Sequence, residues 1–567
     1  MDNLAQFFLN RSRRYSQRTA YEEFTGGSYL SFSYRQIRKD VLSFAGYLKS
    51  KGFTRDSKLG ILAKNSVYWS IAYFAGQVLG IPVIPLDPLL SPRDNIHYLR
   101  HSGADILFID PDIFEQMDLD TARGLNLKEV VLSDGKTYAS KEVSSIENIL
   151  KENSVPSPAA VTREVEIDKD DPAIIIYTSG TTGSPKGVLL THGNIIHQIK
   201  AISKAIKFEK DDVFIGLLPL FHTFPSTTCM LTPFNEGCKV VFLNSLKAAS
   251  IVRVLKEKKV SIMIGVPALF ESLKRAMERK IGSASIFKRA FVGTAREISA
   301  AAGAINIKAL SFLFKGLKKK AGMNYLRLMA SGGAPLMPKT GRFFQMMGIE
   351  FIQGYGLTET SPVLTVNYRT EAGLDSVGRP IEGVDIRIKD KNKDGVGEIQ
   401  AKGANVMAGY YNNQAATEEV FDGGWFRTGD LGYIDGNNCL YIKGRDKNVI
   451  VSSAGKNIYP EEVEELVAES AYVLEIMVYG SRISRENPGQ KVAALIYPDY
   501  DMVDLYFSKH GIKENRENIE GLIKKEVEKH TRHLPAYKKI KNIKIQPEEF
   551  QKTSTRKIKR YLYTENK

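Results

Sequence analysis

A run rich in glycine, serine and threonine, Tyr177 to Gly187, constrains the fold of this 567-residue chain more than any other feature. It follows the uninterrupted apolar run Ala173–Ile176, which predicts a buried strand. Its glycines let backbone N–H groups turn toward an anion, and hydroxyls and one ammonium add donors. No acidic residue opposes them, so the run predicts a polyphosphate-binding loop, although solvated loops share this composition. The residues expected to contact the phosphates are Thr178, Ser179, Gly180, Thr181, Thr182, Gly183 and Lys186.

The order of the residues that close this run distinguishes it from the Walker P-loop. The Walker motif places Gly-Lys-Ser/Thr at the start of a helix. Here Lys186 precedes Gly187, and the apolar residues Val188–Leu190 predict a second strand instead. The complete run resembles the phosphate loop of the adenylate-forming superfamily, which contains acyl-CoA synthetases, luciferases and the adenylation domains of peptide synthetases.

The length of the chain predicts at least two domains. Apolar runs alternate with amphipathic segments, such as the one that Ser33 caps. This alternation predicts an α/β fold in which helices cover mostly parallel sheets. Short strands and Asp-Gly turns between about Val377 and Lys443 predict a small β-barrel-like part. We therefore expect a large N-terminal domain over residues 1–446 and a smaller α/β C-terminal domain over residues 447–567.

Three sequence features bear on the compartment. The cysteines at positions 229, 238 and 439 are far apart and lack metal-ligand spacing, which is typical of a reducing environment. The first residues lack a basic region followed by an apolar core, so we expect no signal peptide and a cytoplasmic protein. The segment Ser66–Leu86 carries no charge, but glycines and prolines interrupt it, and it predicts a buried helix and strand rather than a membrane span.

The positive charge of the chain is unevenly distributed. The formal net charge is +15, and the stretch from Lys274 to Arg327 holds thirteen Lys and Arg residues against two acids. A basic stretch of this kind can contact nucleic acid or an anionic membrane, or simply form a solvated face. No nucleic-acid motif accompanies it. We therefore expect no nucleic-acid partner and retain a weak peripheral contact with an anionic membrane as a hypothesis.

A second motif, Gly354–Thr360, combines a permissive backbone with an aromatic ring, a hydroxyl and a carboxylate. Its tyrosine can stack on a purine, Thr358 can bond a phosphate, and Glu359 can hold Mg²⁺ with Thr178 as a further oxygen ligand. A plain strand-to-loop turn is the alternative. The string resembles the second signature of the same superfamily. The nucleotide-binding positions expected here are Gly354, Tyr355, Gly356 and Thr358.

Two further loops follow predicted strands, where ligands of α/β sheets bind. One runs from Ser331 to Pro335 and the other from Pro219 to His222. The first contributes Gly332, Gly333 and Ala334 as candidate nucleotide-binding residues. By resemblance, His222 lies where relatives keep a histidine beside the acyl pocket, and a structural histidine is the alternative.

The resemblance also covers the C-terminal part of the chain. It implies that Asp430 binds the ribose, that Arg445 assists it, and that Lys447 is the hinge of a mobile C-terminal domain. It further implies that Gly455 and Lys456 form the face along which the pantetheine of CoA passes. These assignments follow from the motifs Gly424–Asp430, Gly444–Lys447 and Ser453–Lys456.

The terminal run from Lys552 to Arg560 contains a lysine that matches the family's mobile catalytic lysine. Position within the motif favours Lys557, and Lys559 is the alternative. Relatives often have glycine immediately before this lysine, whereas this chain has Arg556. A basic, solvated tail would have a similar composition.

Together these motifs identify the chain as a member of the adenylate-forming superfamily, most similar to long-chain fatty acyl-CoA synthetases. The resemblance implies activation of a carboxylic acid with ATP and Mg²⁺ to acyl-AMP, release of pyrophosphate, and thioester formation with CoA. The terminal lysine motif and the long insertion before Gly332 favour a long-chain fatty acid as the substrate. A ligase that loads a carrier-protein thiol is one alternative, and a catalytically silent nucleotide-binding protein is another. The oligomeric state is not predicted.

Overall fold

The computed structural model describes residues 2–25, 27–117, 125–134, 143–152, 157–163, 165–178, 186–282, 315–368, 373–482, 490–553 and 557–564. The chain divides into two compact units. The first contains Met1–Asp385 and Ala401–Phe426, and the second contains Ile386–Gln400 and Arg427–Lys567. The predicted domain boundary at residue 447 is placed at a hinge. A division by contacts does not locate a hinge, so this boundary stays a prediction.

The strands are mostly short, and four of those described in the larger unit are buried at every residue: Leu59–Leu62, Val83–Pro85, Ile106–Ile109 and Ile262–Gly265. In chain order they are β1 (Thr19–Thr25), β2 (Ser28–Ser33), β3 (Leu59–Leu62), β4 (Val83–Pro85), β5 (Ile106–Ile109), β6 (Glu129–Leu132), β7 (Val143–Ser145), β8 (Pro172–Thr178), β9 (Lys186–Thr191), β10 (Val213–Gly216), β11 (Lys239–Phe242), β12 (Ile262–Gly265), β13 (Leu328–Ser331), β14 (Glu350–Tyr355), β15 (Thr365–Val366), β16 (Arg379–Pro380), β17 (Val384–Lys389), β18 (Gly397–Gly403), β19 (Gly409–Tyr410), β20 (Phe421–Asp422), β21 (Trp425–Ile434), β22 (Leu440–Arg445), β23 (Ile450–Val451), β24 (Asn457–Ile458), β25 (Val473–Arg482), β26 (Gln490–Pro498) and β27 (Asn542–Ile545).

The helices are mostly amphipathic and connect these strands. In chain order they are α1 (Leu4–Arg14), α2 (Tyr34–Ser50), α3 (Val67–Val78), α4 (Pro92–Ser102), α5 (Pro111–Phe114), α6 (Ile146–Glu152), α7 (Pro158–Thr162), α8 (His192–Ala205), α9 (Thr223–Pro225), α10 (Thr232–Glu236), α11 (Ala248–Glu257), α12 (Pro267–Gly282), α13 (Lys315–Lys320), α14 (Pro338–Met346), α15 (Gln414–Glu419), α16 (Pro460–Val467), α17 (Tyr500–His510), α18 (Arg516–Thr531) and α19 (Tyr561–Thr564).

Two large sheets form the first unit. The nine-stranded sheet has the order β16-β15-β14-β13-β12-β10-β11-β1-β2, and the eight-stranded sheet has the order β19-β9-β8-β4-β3-β5-β6-β7. The central pairs are parallel, and antiparallel pairs stand at the edges, such as β1–β2, β14–β15 and β8–β9. This confirms the predicted α/β class with mostly parallel sheets.

Helix α3 explains the uncharged segment Ser66–Leu86. It contacts β1 of one sheet and β3 and β4 of the other, so apolar side chains are buried all around it. The Ser66 side chain caps the helix by accepting from the backbone N–H of Trp69. The predicted buried helix and strand are therefore confirmed. Within the part of the chain that the structure describes, no helix is long and apolar enough to cross a membrane.

One predicted strand is displaced along the chain. The residues Tyr325–Met329 predict a strand by their apolar pattern, whereas β13 begins at Leu328. Tyr325 is 48% exposed, and the parallel register pairs Ile262 with Leu328 and Gly265 with Ser331. Hydrogen bonding to β12 therefore fixes the strand three residues later than the apolar pattern suggests.

The second unit contains most of a five-stranded sheet with the order β17-β18-β21-β20, in which β22 also pairs with β21. Its β20–β21 and β21–β22 pairs are antiparallel, in agreement with the small β-rich part expected there. A three-stranded sheet, β25-β26-β27, follows. Helices α16 and α18 contribute to its apolar core through Val463, Val467, Ile523 and Val527. The predicted mobility of this unit stays a prediction.

Candidate active site

The predicted phosphate loop connects two antiparallel strands. Register pairs Thr178, the last residue of β8, with Lys186, the first residue of β9, so the two ends of the loop are adjacent. A strand after Lys186 confirms that the run is not a Walker motif, which would continue as a helix. The loop itself, with Ser179, Gly180, Thr181, Thr182 and Gly183, lies outside the described residues.

Aromatic side chains pack against the strand that enters this loop. The rings of Tyr98 on α4 and Tyr177 on β8 stack, with centroids 4.6 Å apart and planes 4° from parallel. Nδ1 of His101 and the hydroxyl of Tyr177 form a 2.7 Å hydrogen bond. These contacts fix the backbone immediately before Thr178. No local sequence pattern predicts these contacts, because His101 and Tyr177 are 76 residues apart in the chain.

The second motif begins on β14 and turns sharply. Gly354 and Tyr355 pair with Val366 and Thr365 of β15. A Cβ on Gly356 would lie 1.9 Å from the carbonyl O of Pro362, so only glycine fits this position. A short 3₁₀ helix, Thr358–Thr360, then carries Thr358 and Glu359, both half-buried.

Two buried amides hold the chain that follows Glu359. The Gln198 side chain on α8 donates to the carbonyl O of Thr360 at 3.1 Å and of Val363 at 2.6 Å. Asn405 donates to the same two carbonyls at 3.0 and 3.2 Å. Four donated bonds thus satisfy carbonyls that would otherwise be buried without partners. Sequence reasoning missed Gln198 and Asn405, since an isolated amide residue carries no motif.

Tyr410 connects the two motifs. Its hydroxyl donates to Oε1 of Glu359 at 3.0 Å, and its ring centroid lies 4.9 Å from Nζ of Lys186. Strand β19 pairs with β9, so Tyr410 lies opposite Val188, two residues after that lysine. Burial, and then the charge of Glu359, raises the pKa of the Tyr410 phenol well above its usual range. Tyr410, too, belongs to none of the motifs that the sequence shows.

Glu359 carries the carboxylate that is predicted to bind Mg²⁺. Within the described part of the chain, no group of three or more His, Cys, Asp or Glu side chains could hold a metal ion. Mg²⁺ typically keeps several waters and binds one or two carboxylates together with substrate phosphates. One half-buried carboxylate therefore fits a magnesium ion that binds together with ATP. The roles of Glu359 and Thr178 as ligands stay predictions.

The loops near His222 and Gly332 are in contact. A Cβ on Gly332 would lie 2.8 Å from the ring of Phe224, and the N–H of Gly332 donates to the carbonyl O of Gly265 at 3.2 Å. His222 precedes the short helix α9, with its ring 4.2 Å from that of Phe221. The structure thus places Gly332 beside Phe224, two residues after His222, and Gly333 and Ala334 follow Gly332 in the chain. The acyl-pocket role of His222 stays a prediction.

The second unit holds the predicted ribose binder. Asp430 on β21 lies opposite Arg445 on β22, and Nε of Arg445 is 2.8 Å from Oδ1 of Asp430. Asp430 is only 6% exposed, so the guanidinium compensates a buried charge. Burial, followed by the charge of Arg445, lowers the pKa of Lys447 to about 8. The predicted ribose-binding and hinge residues therefore share one electrostatic environment.

The predicted pantetheine face and catalytic lysine also belong to this unit. Gly455 has φ +69° in the turn between β23 and β24, a conformation that favours glycine. Nζ of the adjacent Lys456 lies 4.6 Å from the Tyr537 ring centroid. The exposed Lys557 lies in a terminal hairpin, where its carbonyl O accepts from the N–H of Thr553 at 2.8 Å. Lys559 is half-buried in the same hairpin, and Arg556 lies outside the described residues.

The family of the chain follows from comparison with known proteins. Residues 8–411 match the model of the AMP-binding enzyme family. This match spans more than half of the chain. The chain therefore belongs to the AMP-binding enzymes, as the motifs indicated.

Curated relatives have names that specify acyl ligases. A chloroplastic long-chain-fatty-acid–acyl-carrier-protein ligase of Arabidopsis thaliana is 26% identical, covering 92% of this chain and 79% of that protein. A long-chain-fatty-acid–CoA ligase of Mycobacterium bovis is 27% identical, covering 84% of this chain and 80% of that protein. A human long-chain-fatty-acid–CoA ligase is also 27% identical, with coverages of 85% and 75%.

Solved structures confirm the fold. ATP-bound MatB from Rhodopseudomonas palustris superimposes with a TM-score of 0.77 at 22% identity, covering 99% of this chain and 98% of that one. The anthranilate CoA ligase AuaEII in complex with anthranoyl-AMP gives a TM-score of 0.77 at 19% identity, with coverages of 99% and 96%. A Mycobacterium tuberculosis fatty acyl CoA synthetase gives 0.66 at 24% identity, with coverages of 99% and 97%.

Proposed function

We propose that this chain is an AMP-forming acid–thiol ligase that activates a long-chain fatty acid with ATP and transfers the acyl group to CoA. One observation carries the proposal: Lys186, at the end of the phosphate loop, and Glu359, from the second motif, both contact Tyr410. Lys186 lies over the ring, and Glu359 accepts from the hydroxyl. A cation for phosphates thereby lies near a carboxylate for Mg²⁺. Membership of the AMP-binding enzyme family supports the adenylation chemistry.

In the first half-reaction, a carboxylate oxygen of the acid attacks the α-phosphorus of ATP. A new P–O bond forms while the bond to pyrophosphate breaks. Negative charge is concentrated around the phosphates, so positioned cations and N–H groups lower the barrier most. Lys186 would contact the phosphates, and Lys557 the reacting oxygens. Mg²⁺ held by Glu359 would neutralise part of the charge of the leaving pyrophosphate.

In the second half-reaction, the CoA sulfur attacks the acyl carbonyl carbon of the adenylate. A C–S bond forms, the C–O bond to AMP breaks, and the thiol proton is lost to solvent. Gly455 and Lys456 would line the path of the thiol, after a rotation about Lys447 has removed Lys557. The positive φ of Gly455 supports this assignment, because it favours a residue without a side chain, and no other atom of the described residues lies within 4 Å of the position a Cβ would take there.

The names of the relatives support a long-chain acid as the substrate. Each buried methylene contributes about 0.8 kcal/mol, so an apolar tunnel distinguishes chain lengths strongly. We expect kcat/KM to be highest for saturated acids of roughly twelve to eighteen carbons, because they bury the most methylenes. Values that peak with acetate or benzoate would contradict this part of the proposal.

The thiol acceptor has a specific alternative. The Arabidopsis relative is named as an acyl-carrier-protein ligase, and it covers 92% of this chain. Loading of a carrier-protein thiol would use the same adenylate and the same C–S bond formation. Product analysis with CoA and with a holo carrier protein, under equal thiol concentrations, distinguishes the two acceptors. A thioester formed only on the carrier protein would exclude the CoA ligase.

Pyrophosphate release across a panel of carboxylic acids, with CoA present, tests the proposed function as a whole. The expected result is release that depends on both ATP and a fatty acid, and that Lys557→Ala abolishes. Lys509→Ala, in the last turn of α17, is the matched control and should retain full activity. Absence of release with every acid would favour a catalytically silent nucleotide-binding protein.

Peripheral attachment to a membrane is a separate part of the proposal. It rests on the basic stretch 274–327, of which residues 283–314 lie outside the described residues. Electrostatic attachment weakens as salt screens the charges. We expect co-sedimentation with anionic liposomes at low salt and release at high salt. Binding that is indifferent to both lipid charge and salt would reject it.

A further inference from the structure

Tyr410 contacts two residues of opposite charge in two different ways. The ammonium of Lys186 lies over its ring face, 4.9 Å from the centroid, while its hydroxyl donates to one oxygen of Glu359 at 3.0 Å. All three side chains are half-buried. Both charged residues are among the described ones, and no ion pair within 4.0 Å joins them.

A direct bond between the lysine and the glutamate would be unfavourable for a site that binds Mg²⁺ and ATP. Charge-assisted hydrogen bonds are strong, so a paired ammonium and carboxylate would have to separate before either could bind a ligand. The face of the Tyr410 ring attracts the ammonium of Lys186 through a cation–π contact, which occupies none of its N–H donors with an oxygen acceptor. The hydroxyl bonds one carboxylate oxygen of Glu359, so the second oxygen would be the one to bind a metal.

The backbone around Tyr410 is fixed on several sides. The N–H of Tyr411 donates to the carbonyl O of Gly187 at 2.7 Å, one residue from Lys186. The N–H of Met407 donates to the carbonyl O of Glu359 at 2.9 Å, and the N–H of Tyr410 donates to Oγ1 of Thr417 at 2.9 Å. The segment is thus bonded directly to both of the motifs that its tyrosine connects.

We propose that Tyr410 is a positioning residue that keeps the ammonium of Lys186 and the carboxylate of Glu359 apart and oriented for ATP phosphates and Mg²⁺. The proposal rests on the proposed function for the identity of the ligands. It assigns separate tasks to two parts of one side chain. The hydroxyl orients Glu359 for the metal, and the ring holds Lys186 for the phosphates.

Two variants separate these tasks. Tyr410→Phe retains the ring and removes the hydroxyl, so we expect about a tenfold rise in the Mg²⁺ concentration that gives half-maximal ATP binding, which corresponds to losing roughly one charge-assisted bond. The affinity for ATP at saturating Mg²⁺ should change little. Tyr410→Leu removes both contacts and should weaken ATP binding even at saturating Mg²⁺. The matched control is Tyr411→Phe, which removes the neighbouring hydroxyl, bonded to the carbonyl O of Ser102 at 3.3 Å.

A further test asks whether Tyr410 keeps Lys186 and Glu359 apart. It compares the effect of Lys186→Gln in the Tyr410→Leu background and in the wild-type background. In Tyr410→Leu, the lysine is free to pair with Glu359, so adding Lys186→Gln should lower the Mg²⁺ requirement. In the wild-type background, Lys186→Gln should leave that requirement unchanged while it weakens ATP binding. If Tyr410 merely filled space, Lys186→Gln would have the same effect on the Mg²⁺ requirement in both backgrounds.

The measurement is calorimetric titration of ATP at graded MgCl₂, without a carboxylic acid, together with thermal unfolding of each variant. Because binding is measured without turnover, failure of the proposed function would appear separately, as wild-type protein that binds Mg²⁺ and ATP but releases no pyrophosphate. An unchanged Mg²⁺ requirement in Tyr410→Phe would overturn the proposal. So would equal losses in Tyr410→Phe and Tyr410→Leu that follow their unfolding temperatures. If wild-type protein binds no ATP at any Mg²⁺ concentration, both proposals fail.

Discussion

The backbone N–H of Leu4 at the start of α1 donates to Nδ1 of His192 at the start of α8, 3.3 Å away and 188 residues later. His192 is fully buried, and only a neutral imidazole with an unprotonated Nδ1 can accept this bond. β9, the strand that follows the phosphate loop, ends at Thr191, directly before His192. The bond therefore holds the N-terminal helix next to the end of that strand.

This bond predicts a loss of stability in acid. Burial lowers the pKa of His192 to about 4, from 6.5 for an unperturbed histidine. The depressed pKa means that protons bind the unfolded chain preferentially, so the stabilisation is complete above pH 6.5 and is lost as the pH falls toward 4. The loss is on the order of 3 kcal/mol. Unfolding of wild-type and His192→Gln protein at graded pH measures it.

His192→Gln removes the titrating imidazole and keeps a polar side chain, so the pH-dependent part of the stability should shrink. His510→Gln, at the exposed end of α17, is the control and should keep the wild-type profile. An identical acid dependence in wild type and His192→Gln would show that other groups cause the effect.

Gly356→Ala should abolish adenylation and lower the unfolding temperature. The added Cβ would lie 1.9 Å from the carbonyl O of Pro362, so the turn before Glu359 would have to open. Pyrophosphate exchange and thermal unfolding measure the two effects. Gly436→Ala adds the same methyl group where no atom lies within 4 Å, and it should be nearly neutral. Wild-type exchange in Gly356→Ala would contradict the predicted importance of this turn.

Glu359→Gln should reduce the rate of adenylation much more than the affinity for ATP. The neutral amide retains an oxygen near the Tyr410 hydroxyl but loses the negative charge that Mg²⁺ requires. Both quantities are measured at saturating Mg²⁺, by single-turnover adenylation and by ATP titration. Near-wild-type adenylation would remove Glu359 from the metal site.

Lys557→Ala should nearly abolish acyl-adenylate formation while still converting supplied acyl-adenylate and CoA to the thioester. The reason is that the exposed lysine at this hairpin is predicted to act only in the first half-reaction. The two half-reactions are assayed separately, with Lys559→Ala as the control. Equal losses in both halves would mean that another lysine is the mobile one or that no alternation occurs.

Lys447→Pro should show the opposite pattern, with adenylation retained and thioester formation impaired. Proline fixes φ near −65° and so restricts rotation at the predicted hinge. Lys447→Ala, which removes the ammonium but leaves the backbone free, is the matched control. If the alanine variant loses the second half-reaction to the same extent, the side chain rather than the rotation is responsible.

The sequence determined the fold class and the strands beside the phosphate loop, because these depend on local patterns. The apolar run Ala173–Ile176 can only be buried, and Val188–Leu190 after Lys186 continues as a strand. The special role of Gly356 could also be predicted, because the motif Gly354–Thr360 places glycine where the backbone leaves no room for a side chain. Such features are encoded by residues close together in the chain.

The tertiary structure alone decided which distant residues complete the site. Tyr410 reaches Glu359 across 51 residues, and Gln198 reaches the carbonyl of Thr360 across 162. The strand expected at Tyr325 begins at Leu328 because its hydrogen bonds depend on β12. A tyrosine or a glutamine has no local pattern that reveals its partner. Its role is set by sheet register and helix packing, which bring together residues that the sequence keeps apart.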